Sequence, residues 1–349
     1  MEPTPECRLS YSDRTVRLAS LVVPCAAFLG GLLAACDRPS EGPSHSSAAP
    51  APGTASATSA VPDVPETPAP AALRPHAPTE AFIRAMTVVE QAIEAGDYVR
   101  ADQQLDAAAG AAANDVHLLF AVALYRATRF AYSGDFERAA TALTAMVPDL
   151  AKHPESPDEF SAHNQLMILR DAAGKPSLAL AEDDQATQAA ARGTWAPEER
   201  PTLAYLKDRW HRAYLTRMLA QTRAGAERQA LIRDAEAALG DYRTRARQLH
   251  TNEDSIAVLE AYFAALDGKG DAALRAAKRV DPVEDGDLED LYLVVVGLEA
   301  GGDHARAEAV RKLMRQPGDV HISRAVMLRW LDSDAKASGE KVFTPWHPF

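Results

Sequence analysis

Six glycines at intervals of 34 to 51 residues constrain this chain more than any other feature, because each is followed five residues later by an alanine. Glycine ends a helix readily, since it adopts a left-handed backbone at little cost. A small residue about one and a half turns into the next helix lets two helices pack closely. The pattern predicts tight helical hairpins with turns at Gly96, Gly134, Gly174, Gly225, Gly268 and Gly302 and alanines at Ala101, Ala139, Ala179, Ala230, Ala273 and Ala307.

The segments between these glycines are rich in alanine and leucine and show no period-two alternation of apolar and polar residues, which favours helices over strands. "PTEAF" places Thr79 before the first helix, and "SPDEF" places a capping serine, Ser156, before another. We therefore predict an all-α fold built from a helical-hairpin repeat over residues 79–334, with a last helix near 322–331 that caps the stack.

Three units resemble the tetratricopeptide repeat (TPR) family, in "GDYVRADQQLDAAA", "GDFERAATALTAMVP" and "GKGDAALRAAKRVDP". In that family an aromatic residue stands two positions after the glycine, as Tyr98 and Phe136 do here. The first helices depart from the pattern, with Tyr214, Arg217 and Met218 at family positions in a fourth unit whose helices are twice the usual length. The resemblance implies a right-handed superhelical solenoid of about six hairpins.

The first 35 residues have the layout of a secretory signal peptide, in which positive charge precedes an eighteen-residue run without charge, from Leu18 to Ala35. The end of the run, Leu33-Ala34-Ala35-Cys36, resembles the lipobox of bacterial lipoproteins, whose cysteine is lipidated and becomes the new N-terminus. That resemblance implies lipidation at Cys36 and anchoring to the inner or outer membrane of the cell envelope, facing the periplasm. The alternative is an uncleaved membrane anchor.

Residues 36–78 contain ten of the 23 prolines and no aromatic residue, which predicts a disordered Pro/Ala/Ser linker after the lipidated cysteine. Residues 335–349 form a C-terminal tail, "KVFTPWHPF" at its end, that either folds back on the last helices or acts as a docking peptide. The net charge of -12 argues against nucleic acid as a partner.

No catalytic or cofactor motif stands out in the sequence. The ten histidines are scattered without His-x-x-x-His spacing, and the three cysteines, Cys7, Cys25 and Cys36, would leave only Cys36 in a chain cleaved before it. There is no phosphate-binding glycine loop and no Gly-x-Ser-x-Gly elbow. We therefore predict a protein that is not an enzyme, with no metal and no cofactor, and in which His163 and His211 are packing or surface residues.

The first helix of each hairpin lines the inner face of a TPR solenoid, and counting back from the turn glycines as in that family places four residues there: Asn164, Arg212, Tyr262 and Tyr292. These polar and aromatic groups are the predicted partner groove. The sequence thus predicts a membrane-anchored scaffold or adaptor that binds an envelope protein or peptide. The alternative is an enzyme, or a regulatory subunit of an enzyme, of envelope biogenesis with an unrecognised active site.

Overall fold

The computed structural model describes residues 78–249, 253–282 and 288–337. Every regular element in these ranges is a helix, so the all-α prediction is confirmed. The helices are α1 (Glu80–Glu94), α2 (Tyr98–Ala111), α3 (Val116–Tyr132), α4 (Phe136–Thr144), α5 (Val147–Leu150), α6 (Asp158–Ala172), α7 (Pro176–Arg192), α8 (Arg200–Gln221), α9 (Gly225–Gln248), α10 (Glu253–Leu266), α11 (Gly270–Ala277), α12 (Leu288–Ala300), α13 (His304–Met314) and α14 (Ile322–Ala337).

All six predicted turn glycines lie at or beside the junction of two helices and have positive φ, between +59° and +81°. An L-residue with a Cβ is strained in that conformation, whereas glycine is not. Three of the turns continue with an aspartate that caps the next helix: Asp97, Asp135 and Asp303 each accept a hydrogen bond from the backbone N–H three residues on. Glycine and aspartate together therefore end one helix and start the next.

Five of the six alanines that follow these glycines are completely buried where the two helices of a hairpin meet. The exception is Ala230 in α9, which is only half-buried. The hairpin of α8 and α9 is also the longest, with 22 and 24 residues as the sequence indicated, and α9 continues through Gly240 without a break. The prediction that each of these alanines is a tight packing position is therefore confirmed for five units. It is wrong for the α8–α9 hairpin, because the first residues of α9 are mostly exposed to solvent.

Successive hairpins pack against each other in chain order. The second helix of one hairpin contacts the first helix of the next, as α2 does with α3, α4 with α6, α7 with α8 and α11 with α12. Thr79 caps α1 by accepting a hydrogen bond from the Phe82 N–H at 3.2 Å, as predicted. The predicted cap at Ser156 is displaced by one position, since α6 begins at Asp158 and Ser156 Oγ accepts a 3.3 Å bond from its N–H.

The C-terminal helix α14 returns to the early part of the chain. It contacts α3, α6 and α12, which are the first helices of three different hairpins. Its contacts are thus not confined to the preceding hairpin. The loop before it carries Val320 into the apolar cluster of the first hairpin, next to α1 and α3. Six apolar residues of α14 are buried: Ile322, Ala325, Val326, Met327, Trp330 and Leu331. The last helix of the described chain thus packs across the first helices of three hairpins.

The predicted signal peptide 1–35, Cys36 and the linker up to residue 77 lie outside the described residues, as does the tail from 338. Helix α14 extends to Ala337, three residues past the predicted boundary at 334. Among the helices of the described part, none is both long enough and apolar enough to span a membrane.

Candidate functional site

A pocket lies between α6, α8, α12 and α14, where the space not filled by atoms is about 380 Å³, part of it open to bulk solvent. Only about 30 Å³ of this space can hold water molecules, which is room for about one or two, so a larger group needs the lining side chains to move. Helix α14 closes one side of the pocket through Met327 and Trp330. It is lined by Met167, Ile168, Asp171, Trp210, His211, Tyr214, Leu215, Glu289, Tyr292, Leu293, Met327 and Trp330.

Aromatic rings form a large part of the lining. Trp210 and Tyr214 on α8 stack at 5.7 Å between centroids, and Tyr292 on α12 packs against Trp330 of α14 at 5.0 Å. Pairs at such distances stabilise each other and hold their rings in fixed orientations. Trp210 is only partly buried, whereas Tyr292 and Trp330 are buried. The pocket therefore has an ordered aromatic wall and an accessible indole on α8.

The carboxyl group of Asp171 is the most unusual polar group of this pocket. The Tyr214 hydroxyl donates a 3.0 Å hydrogen bond to Asp171 Oδ2. The other oxygen, Oδ1, is buried and has no hydrogen-bond partner among the described residues. Burial raises the pKa of Asp171 to about 7, because removal from water disfavours the charged form more than the Tyr214 hydrogen bond favours it. In its ionised form, Asp171 offers Oδ1 as an unpaired acceptor to a donor group that enters the pocket.

His211 is oriented by a second buried carboxylate. Its Nδ1 lies 3.2 Å from Asp183 Oδ1 on α7, and both side chains are almost fully buried. Burial raises the pKa of Asp183 against the opposing effect of His211. None of the lining residues in the described part of the chain is Ser, Thr, Cys or Lys, so the pocket contains a histidine–carboxylate pair without one of these nucleophiles beside it.

The structure does not bring the four predicted groove residues into one lining. Tyr292 lines the pocket, and Tyr262 packs behind it against Tyr214, with 5.4 Å between ring centroids and its hydroxyl directed at Met218 of α8. Asn164 is buried on α6 one turn before Met167. Arg212 pairs with Asp184 and, at 3.4 Å, with Asp208, with a third of its side chain exposed.

Burial changes what substitutions of these residues can report. Tyr262 is 1 % exposed, so truncating it would measure stability and not contact with a partner. Arg212 remains a residue that a partner can reach. His163 and His211, predicted as packing or surface residues, are both buried and each pairs with a carboxylate on α7.

Sequence reasoning missed most of the pocket residues, although their spacing carries a signal. Several occur four residues apart on one helix and so share a face, as do Met167 and Asp171 on α6 and Trp210 and Tyr214 on α8. The spacing identifies a face but not the direction in which it points. That direction depends on α14, whose return across the inner side has no local signature in the sequence.

A second group of polar residues lies apart from the pocket. His117 at the start of α3 and His153 and Glu155 in the segment between α5 and α6 each place one possible ligand atom within 4.8 Å of the others. No sequence motif indicates this group, because His117 and His153 stand 36 positions apart.

Comparisons of the chain with protein-family models, with curated proteins and with solved structures found no match. The geometry of the two sites and the sequence features at the N-terminus are therefore the basis for assigning a function.

Proposed function

We propose that this protein is a lipid-anchored adaptor of the bacterial cell envelope that binds a protein partner and is not an enzyme. In this proposal Cys36 carries the lipid, in the inner or outer membrane, and residues 37–78 tether a periplasmic helical domain. The hairpins form a TPR-like right-handed solenoid whose inner side receives the partner. The N-terminal sequence supports the anchor, and the chain-order packing of hairpins supports the solenoid.

The observation that carries the binding proposal is the aromatic pocket that remains on the inner side beside α14. Helix α14 itself supports this choice, because its apolar face already packs against first helices there. In this proposal the lining side chains move to admit an anchor side chain from the partner. Buried aromatic pockets that receive one side chain contribute much of the affinity of protein–protein interfaces.

The pocket lining favours a particular kind of anchor. Four aromatic rings and the apolar side chains around them suit an apolar or aromatic group, and the unpaired Asp171 Oδ1 suits a hydrogen-bond donor at its tip. A tryptophan, tyrosine or lysine side chain has both properties. We therefore propose that the partner presents one such residue on a peptide or helix.

Affinity purification after crosslinking in cells tests this proposal with two matched variants of α8. Trp210→Ala removes the accessible indole of the pocket, and we expect recovery of the partner to fall about tenfold or more. Tyr205→Ala removes an exposed aromatic ring of the same helix that does not line the pocket, and recovery should stay unchanged. Circular dichroism confirms that both variants are folded. A folded Trp210→Ala protein that keeps its partner would place the binding surface elsewhere.

The histidine–carboxylate pair favours one alternative, an enzyme whose general base is His211 held by Asp183. The same purified proteins separate the two functions. Turnover of an envelope substrate by the wild-type chain, lost in His211→Gln, together with failure to recover any partner, would replace the adaptor proposal with the enzyme.

A further inference from the structure

The group formed by His117, His153 and Glu155 joins two parts of the chain that are far apart in sequence. The two imidazole rings meet edge to face with 5.4 Å between centroids, and Glu155 Oε1 lies 3.0 Å from His153 Nδ1. Each residue offers one nitrogen or oxygen atom, and the three atoms lie within 4.8 Å of one another. Two imidazoles and a carboxylate thus converge on one point at the edge of the domain.

A fourth residue holds the first imidazole in place. Asp158, the first residue of α6, lies with its Oδ2 2.6 Å from His117 Nδ1, which leaves Nε2 of that ring as the ligand atom. A carboxylate on the far nitrogen is the usual partner of a metal-bound histidine, because it fixes the tautomer and the ring orientation and raises the basicity of the ligand. The Asp158 carboxylate is mostly buried, so this arrangement is held by the fold.

The backbone around these residues is also fixed. Asp115 caps α3 by accepting hydrogen bonds from the N–H groups of His117, at 2.9 Å, and Leu118, at 3.1 Å. His153 is held by backbone bonds on both sides, since its N–H donates to Leu150 and its C=O accepts from Ser156. The histidines are therefore positioned by ordered turns and not by long mobile side chains alone.

From this geometry we propose that His117, His153 and Glu155 form a binding site for a zinc-class divalent metal ion, with Asp158 as a positioning residue. Imidazole with one carboxylate suits Zn²⁺ and similar ions, whereas Mg²⁺ and Ca²⁺ prefer all-oxygen sites. Ligands of a tetrahedral ion at about 2.1 Å stand about 3.4 Å apart, so atoms that lie within 4.8 Å of one another approach by at most about 1.4 Å on binding. The side chain of Glu155, 51 % exposed, has room to make that adjustment.

Such an ion has a clear structural consequence. It links the start of α3 to the segment between α5 and α6, and thereby fixes one hairpin to the next. Three protein ligands leave a fourth position of a tetrahedral ion open to water or to an outside ligand. The site shares no residue with the aromatic pocket, so the metal proposal stands or falls independently of the adaptor proposal.

Zinc titration of the full-length chain, purified in detergent without a histidine tag and treated with a chelator, tests the proposal. Calorimetry should give one Zn²⁺ per chain with a Kd below about 10 μM, and Co²⁺ should give the visible absorption of a tetrahedral nitrogen–oxygen site. His117→Gln combined with His153→Gln should abolish this binding. Asp158→Asn, which keeps the shape but not the charge, should weaken it about 10- to 100-fold.

His304→Gln is the matched control, because His304 is an exposed histidine that also pairs with a carboxylate, Glu299, but lies on α13. This variant should bind zinc as the wild type does. Circular dichroism of each metal-free variant establishes that it is folded. Absence of one-to-one zinc binding in the wild type, or retention of it in the folded double variant, overturns the proposal.

Discussion

At the scale of single residues, the stability of this molecule depends most on its tightly packed alanines and its buried carboxyl groups. Ala139 is completely buried inside its hairpin, whereas Ala230 occupies the corresponding position of the α8–α9 hairpin and is half-buried. Asp171 and Asp183 place acidic groups in surroundings that raise their pKa values. Both features predict measurable differences between otherwise similar substitutions.

Ala139→Leu should destabilise the protein by about 1 to 3 kcal/mol, because the larger side chain forces α3 and α4 apart. Ala230→Leu makes the same chemical change at the open position and should alter stability by less than about 0.5 kcal/mol. Urea unfolding followed by circular dichroism measures both. Equal effects of the two substitutions would show that the buried alanine is not a close packing contact.

The Asp171 carboxyl group predicts that stability falls as pH rises from about 4 to 7. Its pKa is 3.8 in the unfolded chain and about 7 in the folded protein, so in this interval the unfolded state releases a proton that the folded state keeps. The Asp171→Asn protein has no titrating group at this position and should not show this loss of stability. The free energy of unfolding of Asp171→Asn relative to wild type should therefore increase by a few kcal/mol between pH 5 and pH 8.

The difference between the two proteins is the appropriate quantity because other buried acids, such as Asp183, also contribute to the pH dependence of each protein alone. A difference in unfolding free energy that stays constant from pH 5 to pH 8 would contradict the raised pKa of Asp171.

At the scale of elements, the helices and their turns could be predicted from the sequence, because their determinants are local. Glycines with positive φ, the cap at Thr79 and the long α8 and α9 follow from residue type and spacing. The path of α14 could not be predicted, since its contacts with α3 and α6 join segments about 160 to 200 residues apart. The sequence predicts a helix near residues 322–331, but one that caps the end of the stack of hairpins.

Trp330→Ala should destabilise the protein by about 3 to 5 kcal/mol, because it removes a buried ring that contacts Tyr292 across two elements. Hydrogen exchange in α14 should accelerate with it. Asp332→Ala is the control on the same helix, since its exposed pair with Arg315 contributes less than about 1 kcal/mol. Wild-type stability and exchange in Trp330→Ala would contradict the seating of α14 on the inner side.

The candidate site belongs partly to each of these scales. Several pocket residues stand at helical spacing in the sequence. One of them, Tyr292, was predicted as a groove residue by counting back from the turn glycine as in TPR repeats. The register placed Tyr262 on the inner surface, but the structure buries it behind Tyr214. The pocket as a whole is formed by four helices, α6, α8, α12 and α14. Helix α14 is held there partly by its contact with α3, and no single stretch of sequence encodes this arrangement.

For the whole molecule, the proposed anchor predicts one covalent modification. Mass spectrometry of the membrane-extracted protein should find a chain that begins at an acylated Cys36, because Leu33-Ala34-Ala35-Cys36 resembles a lipobox. Cys36→Ala should abolish both processing and partition into detergent, since no other lipid acceptor then remains at the cleavage site. A wild-type membrane form that still carries residues 1–35 would contradict lipidation at Cys36.

Photocrosslinking in living cells tests the central claim, that the inner pocket binds a protein partner in the envelope, most directly. A photoreactive amino acid replaces Trp210 at the accessible wall of the pocket, and in a separate strain replaces Val99, which is 70 % exposed on α2. The account predicts a crosslinked adduct with one defined envelope protein from position 210 and none from position 99. No adduct from position 210 in a folded, membrane-bound protein, or the same adducts from both positions, would contradict it.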